Sequence, residues 1–124
     1  MPIRRLRIRW RRTPEDHDYP AALSYLALNV EAKLAKQLVK RLRRAPMAEF
    51  KSKDIFRASG LSLLGISNSH VEKDNQKIAA GIALSPLLLV RHPVHGRLII
   101  ADGYHRLCAV YAHDEDAVIP CKIV

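Results

Sequence analysis

The 124-residue sequence predicts an α/β (or α+β) fold: a small mixed sheet, preceded by a long basic amphipathic helix and an Arg-rich strand or arm. Three observations carry this prediction. Residues 21–44 hold an apolar stripe at helical spacing. Residues 61–124 alternate short apolar runs with amphipathic stretches and Gly/Pro punctuation. The charge is also unevenly placed: residues 1–57 carry 15 Lys/Arg against 6 Asp/Glu, and residues 58–124 carry 6 against 6. The front half therefore holds the whole net charge of +9 and lacks glycine, since all five glycines lie at Gly60 or later. Three segments follow: an arm and linker (1–19), a basic helical segment (20–60) and a neutral body (61–124).

A composition of 48% hydrophobic and 27% charged residues implies a folded core. No apolar run approaches the ~18–20 residues of a membrane span. The basic N-terminus lacks an apolar h-region, so no secretory signal is expected. Cys108 and Cys121 stand outside any metal-type spacing, and free thiols in a reducing cytoplasm are expected.

In order along the chain, Leu6, Ile8 and Trp10 alternate with Arg5, Arg7, Arg9 and Arg11, with Arg4 and Arg12 outside them. Period two argues a strand with one apolar and one Arg face. It reads as an edge strand kept soluble by its charges, or as an arm that touches phosphates. Its apolar face would also suit a homodimer. Thr13 to Pro20 reads as a linker. Leu23, Leu26, Val30, Leu34, Leu38 and Leu42 form one stripe on a helix over 21–44, stopped by Pro46. Lys33, Lys36, Lys40, Arg41, Arg43 and Arg44 crowd its other faces, partly explained by the dipole at its C-terminus. Ser52 to Ser59 reads as a short helix, N-capped by Ser52 and ended by Gly60. Leu61 to Ile66 reads as a strand and His70 to Ala80 as a helix. Leu87–Val90 and Leu98–Ala101 form a hairpin across a Pro/Gly loop. Tyr104 to Ala112 is a helix and Val118 to Val124 a last strand.

The chemistry concentrates in Ile100-Ala-Asp102-Gly103-Tyr104-His105-Arg106. An apolar strand ends in Asp-Gly and a helix begins at once. Free N–H groups at a helix start, with the dipole behind them, favour an anion. Gly103 permits a tight turn, and Arg106 can grip phosphate bidentately. Cations in a first turn oppose the dipole, a broken local rule that often marks function. Alternatively, Asp102 caps the helix and His105 and Arg106 are solvated. His92, His95 and His105 with Asp102 offer a weaker metal cluster, since the hairpin loop lies at the far end of its strands.

This arrangement resembles the ParB/sulfiredoxin superfamily over roughly Leu61–Val124. Gly103-Tyr104-His105-Arg106-Leu107-Cys108-Ala109 is similar to the Gly-x-His-Arg turn of sulfiredoxins and the Gly-Glu-Arg-Arg turn of ParB proteins. Gly81 to Pro86 is similar to ParB's Gly-x-x-Gln-Pro segment, one residue longer and without the Gln. The resemblance implies that Gly103, Tyr104, His105 and Arg106, with Ser85, hold the phosphates of ATP or CTP. Asp102 resembles the Asp-Gly turn of the superfamily's free-serine kinases, implying a Mg²⁺ ligand or a base. Tyr104 stands at the reactive cysteine of sulfiredoxins, so peroxiredoxin repair is not expected. ParB's DNA-binding and dimerisation regions have no counterpart here, so a complete partition protein is not expected either.

Three functional expectations follow. The first is a nucleotide-binding protein, with hydrolysis or phosphotransfer through Asp102. The second is a DNA-binding protein or nuclease that grips the backbone through Arg4, Arg5, Arg7, Arg9, Arg11, Arg12, Lys40, Arg41, Arg43 and Arg44. The third is an interaction module whose basic helix docks an acidic partner.

Overall fold

The computed structural model describes residues 7–64, 68–92, 94 and 96–124. Arg4, Arg5, Leu6 and His95 therefore lie outside the described residues. The elements are α1 (Asp18–Asn29), α2 (Ala32–Arg44), β1 (Ala48–Lys51), α3 (Ser52–Ser59), α4 (Ser69–Ala79), β2 (Leu87–Arg91), β3 (Leu98–Asp102), α5 (Tyr104–His113) and β4 (Val118–Ile123). These five helices and four strands make an α/β fold with a mixed sheet in the order β1-β4-β2-β3. β2–β3 and β1–β4 pair antiparallel, and β2–β4 pair parallel.

The sheet separates two cores, which explains the continuous apolar run at its centre. Successive side chains of a strand point to opposite faces. Leu87 and Leu89 face α3, α4 and α5, in a core with Ile55, Val71, Ile78, Leu107 and Ile119. Leu88 and Val90 face α1 and α2, in a core with Leu26, Ala35, Leu38, Val39 and Leu42. A strand covered on both faces is apolar throughout rather than alternating. The basic front half thus contributes one of the two helical layers. Among the described residues no helix is long and apolar enough to cross a membrane. Cys108 and Cys121 are free and buried.

The single helix expected over 21–44 is two helices. Val30 is extended (φ −140°, ψ 168°), and Glu31 occupies the N-cap of α2. A straight helix of that length would run ~36 Å, about twice the ~17 Å of a five-residue strand. The break lets both halves lie on the same sheet. It also rotates the stripe: Ala35, Leu38, Val39 and Leu42 are buried, while Leu34 is exposed.

Four further expectations are corrected. The region Thr13 to Pro20 is no linker: Pro14, Asp18 and Tyr19 are buried, and α1 starts at Asp18. In its described residues, 7–12, the Arg-rich segment forms one isolated parallel bridge, Trp10 to Leu84, instead of a strand. Its alternation still holds, with Ile8 and Trp10 packed on the core and Arg7, Arg9, Arg11 and Arg12 exposed. Residues 61–64 are irregular, and the rest of the expected strand lies outside the described residues. Ser52 is not the cap of α3, because Lys51 holds that position. Its hydroxyl donates instead to the Asp114 and Glu115 carbonyls, at 3.1 and 2.6 Å, tying α3 to the turn before β4.

Candidate anion-binding site

The β3–α5 junction has the geometry that its sequence suggests. Gly103 is the N-cap of α5 with φ 106°, ψ 16°, a conformation that L side chains rarely adopt. A Cβ there would lie 2.8 Å from Leu87 Cγ and 2.9 Å from Arg106 Nη2. Glycine is required twice over, by the turn and by the close approach of strand and helix. The N-cap, Gly103, has no side chain with which to cap α5. The first helical bond runs from Leu107 N–H to the Gly103 carbonyl, so the N–H groups of Tyr104, His105 and Arg106 have no partner within the helix.

A cleft of about 250 Å³ opens in front of these groups. Its second wall is α4, whose Asn68 cap accepts from the His70 and Val71 N–H groups at 3.0 and 3.3 Å. α4 contributes His70, Lys73, Asp74 and Lys77, while the junction contributes Asp102 to Arg106. The His70 and His105 rings lie 4.8 Å apart. Burial holds the His105 imidazole below its ordinary 6.5, helped by His70 and Arg106 and opposed by Asp74. Burial also raises the Asp74 carboxyl above its ordinary 3.8, against the nearby Arg106, Lys77, His105 and His70. The Tyr104 hydroxyl donates to the Ser62 carbonyl at the cleft's edge.

Arg106 and Asp102 form an ion pair at 3.0 Å, each side chain less than a fifth exposed. Arg106 Nη2 also donates to the Pro86 carbonyl at 3.4 Å, while its buried Nε has no partner among the described residues. Burial raises the Asp102 carboxyl, Arg106 lowers it, and the neighbouring Asp18 carboxylate raises it further. Asp18 accepts from the Ser85 hydroxyl and from the Glu15 N–H at 3.0 Å. Ser85 therefore serves Asp18 and lies outside the cleft lining. Glu15, His17 and Asp18 bring ligand-type atoms within 4.8 Å of one another, so this corner has oxygen and imidazole donors of the kind metals use. His92 is at the opposite end of β3 from Asp102, which separates it from this group.

The cleft is lined by Asp102, Gly103, Tyr104, His105 and Arg106 from the junction. It adds His70, Lys73, Asp74 and Lys77 from the helix expected over His70 to Ala80, to which the sequence assigned no functional role. Their signal was present, since 70, 73, 74 and 77 share one face at helical spacing. Asp18 had no local signal, because it reaches Asp102 only through the fold. The basic residues of the front half lie elsewhere. Arg11 pairs with Glu15 at 2.9 Å, and the Arg43 guanidinium stacks on Tyr19 at 4.3 Å. Comparison with protein-family models, curated proteins and solved structures finds no match.

Proposed function

We propose that the cleft between α4 and the start of α5 binds the phosphate groups of a nucleotide, ATP or CTP, as a ParB/sulfiredoxin-type site. One observation carries the reading: the Lys73 and Lys77 ammonium groups of α4 and the His70 and His105 imidazoles line one cleft with the glycine-started N-terminus of α5. Backbone N–H groups and the helix dipole supply a fixed positive end, and the side chains supply mobile charge. Arg106 acts through Asp102, holding the turn in shape, and is itself part of the cleft lining. Asp102 lines the cleft as a hard oxygen donor, of the kind that would hold a Mg²⁺ travelling with the phosphates. The turn's likeness to the superfamily's phosphate loop favours a nucleotide over other anions.

The test is thermal unfolding with ATP, ADP, CTP and GTP in Mg²⁺, comparing the wild type with Lys73→Gln/Lys77→Gln. These two lysines are a cleaner probe than Arg106, whose removal would also strand Asp102. A nucleotide at about 100 times its Kd adds about 2.7 kcal/mol. That corresponds to roughly 10 °C for a domain of this size. Stabilisation in the wild type that is lost in the variant supports the reading. If no nucleotide shifts the wild type, the reading fails.

A further inference from the structure

A second concentration of charge, on α2, plays no part in the cleft. α2 carries six cations and no acid from Ala32 to Arg44, and all six are exposed. With about 100° per residue, Lys33, Lys40 and Arg44 form a ridge opposite the buried stripe of Ala35, Leu38, Val39 and Leu42. Lys36 and Arg41 flank this ridge. Arg43 stands apart, since its guanidinium lies over Tyr19 and its carbonyl accepts from Lys122 Nζ at 2.8 Å. Among the described residues no ion pair neutralises the other five.

Helix stability does not account for this pattern. The dipole favours cations in the last turn but disfavours Lys33 and Lys36 near the first. Lys36–Lys40 and Lys40–Arg44 are like charges four residues apart, which repel on a helix surface. An isolated, uncompensated row of this kind is stabilised by an external polyanion. An anionic membrane is disfavoured as that polyanion. A helix lying on lipid must offer an apolar face to the acyl boundary, and that face of α2 is already spent on Leu88, Val90, Ile99 and Ala101. A straight, rigid row of cations about 17 Å long instead matches the regular phosphates of a duplex, which recur every ~3.4 Å along each strand. The Arg segment extends the same charge: Arg11 and Arg12 share a hollow with Met47, three residues beyond Arg44.

We propose that the outer face of α2 docks on the phosphate backbone of duplex nucleic acid, without base readout, through Lys33, Lys36, Lys40, Arg41 and Arg44. The contact is separate from the nucleotide cleft. Five neutralised phosphates give a slope of about −4.5 in log affinity against log salt. Affinity should then fall about 500-fold between 50 and 200 mM salt.

The experiment is fluorescence anisotropy of a labelled duplex DNA with the full chain, repeated with Lys33→Gln/Lys40→Gln/Arg44→Gln. These side chains are exposed, so the variant keeps the wild-type circular dichroism and melting temperature. It should bind more weakly, and its affinity should fall only about 12-fold over the same salt range, as expected for two remaining phosphate contacts. Lys73→Gln/Lys77→Gln should bind DNA like the wild type, whatever nucleotides do to it. Vesicles rich in anionic lipid should compete poorly with the duplex. Failure to bind at 50 mM salt, binding unchanged in the triple variant, or tighter binding to the vesicles than to DNA each overturns the proposal.

Discussion

Replacing Gly103 with alanine tests the idea that the β3–α5 turn is built around a missing side chain. Two costs are expected. An L residue at φ 106° leaves its allowed regions, worth about 1–2 kcal/mol. The new methyl would also stand 2.8 and 3.1 Å from Leu87 Cγ and Cδ1. Leu87 is fully buried between the sheet and α5, so relief requires a shift of packed atoms rather than a rotation into solvent. Overpacking of this kind costs about 1–3 kcal/mol. The sum is about 2–5 kcal/mol, or roughly 8–20 °C in Tm for a domain of this size. Gly81→Ala provides the reference. Its φ is 71°, but a Cβ there meets nothing within 4 Å, so only the backbone cost remains. Thermal and urea unfolding of the two variants separates the terms. If Gly103→Ala melts within a degree or two of Gly81→Ala, the steric argument is wrong and Leu87 does not press on the turn.

Two other predictions concern titrating groups. His105 is held below its ordinary 6.5 by burial and by His70, so its neutral form stabilises the fold above that value, and this contribution is lost as pH falls through the folded-state value. A phosphate in the cleft reverses the sign by favouring the imidazolium. Binding then takes up a proton, and affinity should rise between about pH 8 and about pH 6, more in the wild type than in His105→Gln. Calorimetry in buffers of different ionisation enthalpy measures that uptake, and equal uptake by both proteins would place His105 outside the contact. Cys121 is fully buried, and its thiol is pushed up to about 12 by that burial. Neither it nor the equally buried Cys108 should react with a thiol reagent in the native protein, and both should react in guanidinium chloride. Rapid labelling of the folded chain would contradict the packing of α5 and β4.

Elements with strong local signals are legible in the sequence itself. The β2–β3 hairpin follows from two apolar runs around a Pro/Gly loop. The glycine ends of α3 and α4, at Gly60 and Gly81, follow from left-handed caps. β1 is not legible in this way. Ala48 to Lys51 is a four-residue edge strand, exposed except at its start, and only its pairing with β4 makes it a strand. The break at Val30–Glu31 carries no Gly or Pro, and it follows from the length of the sheet that α1 and α2 must cover.

The sequence alone determined the α/β class, the placement of charge in the front half and the Asp102–Arg106 turn. Each depends on neighbours a few residues apart, where backbone preference and periodicity operate. The tertiary structure decided what that turn faces. It set α4's lysines across from the N-terminus of α5, and it brought Asp18 to Asp102 across more than 80 positions of chain. It also turned the cations of α2 outward by burying the opposite side of the helix on the sheet. Those relations come from burying apolar area on both faces of one sheet, a condition on the whole chain that no short window of sequence contains.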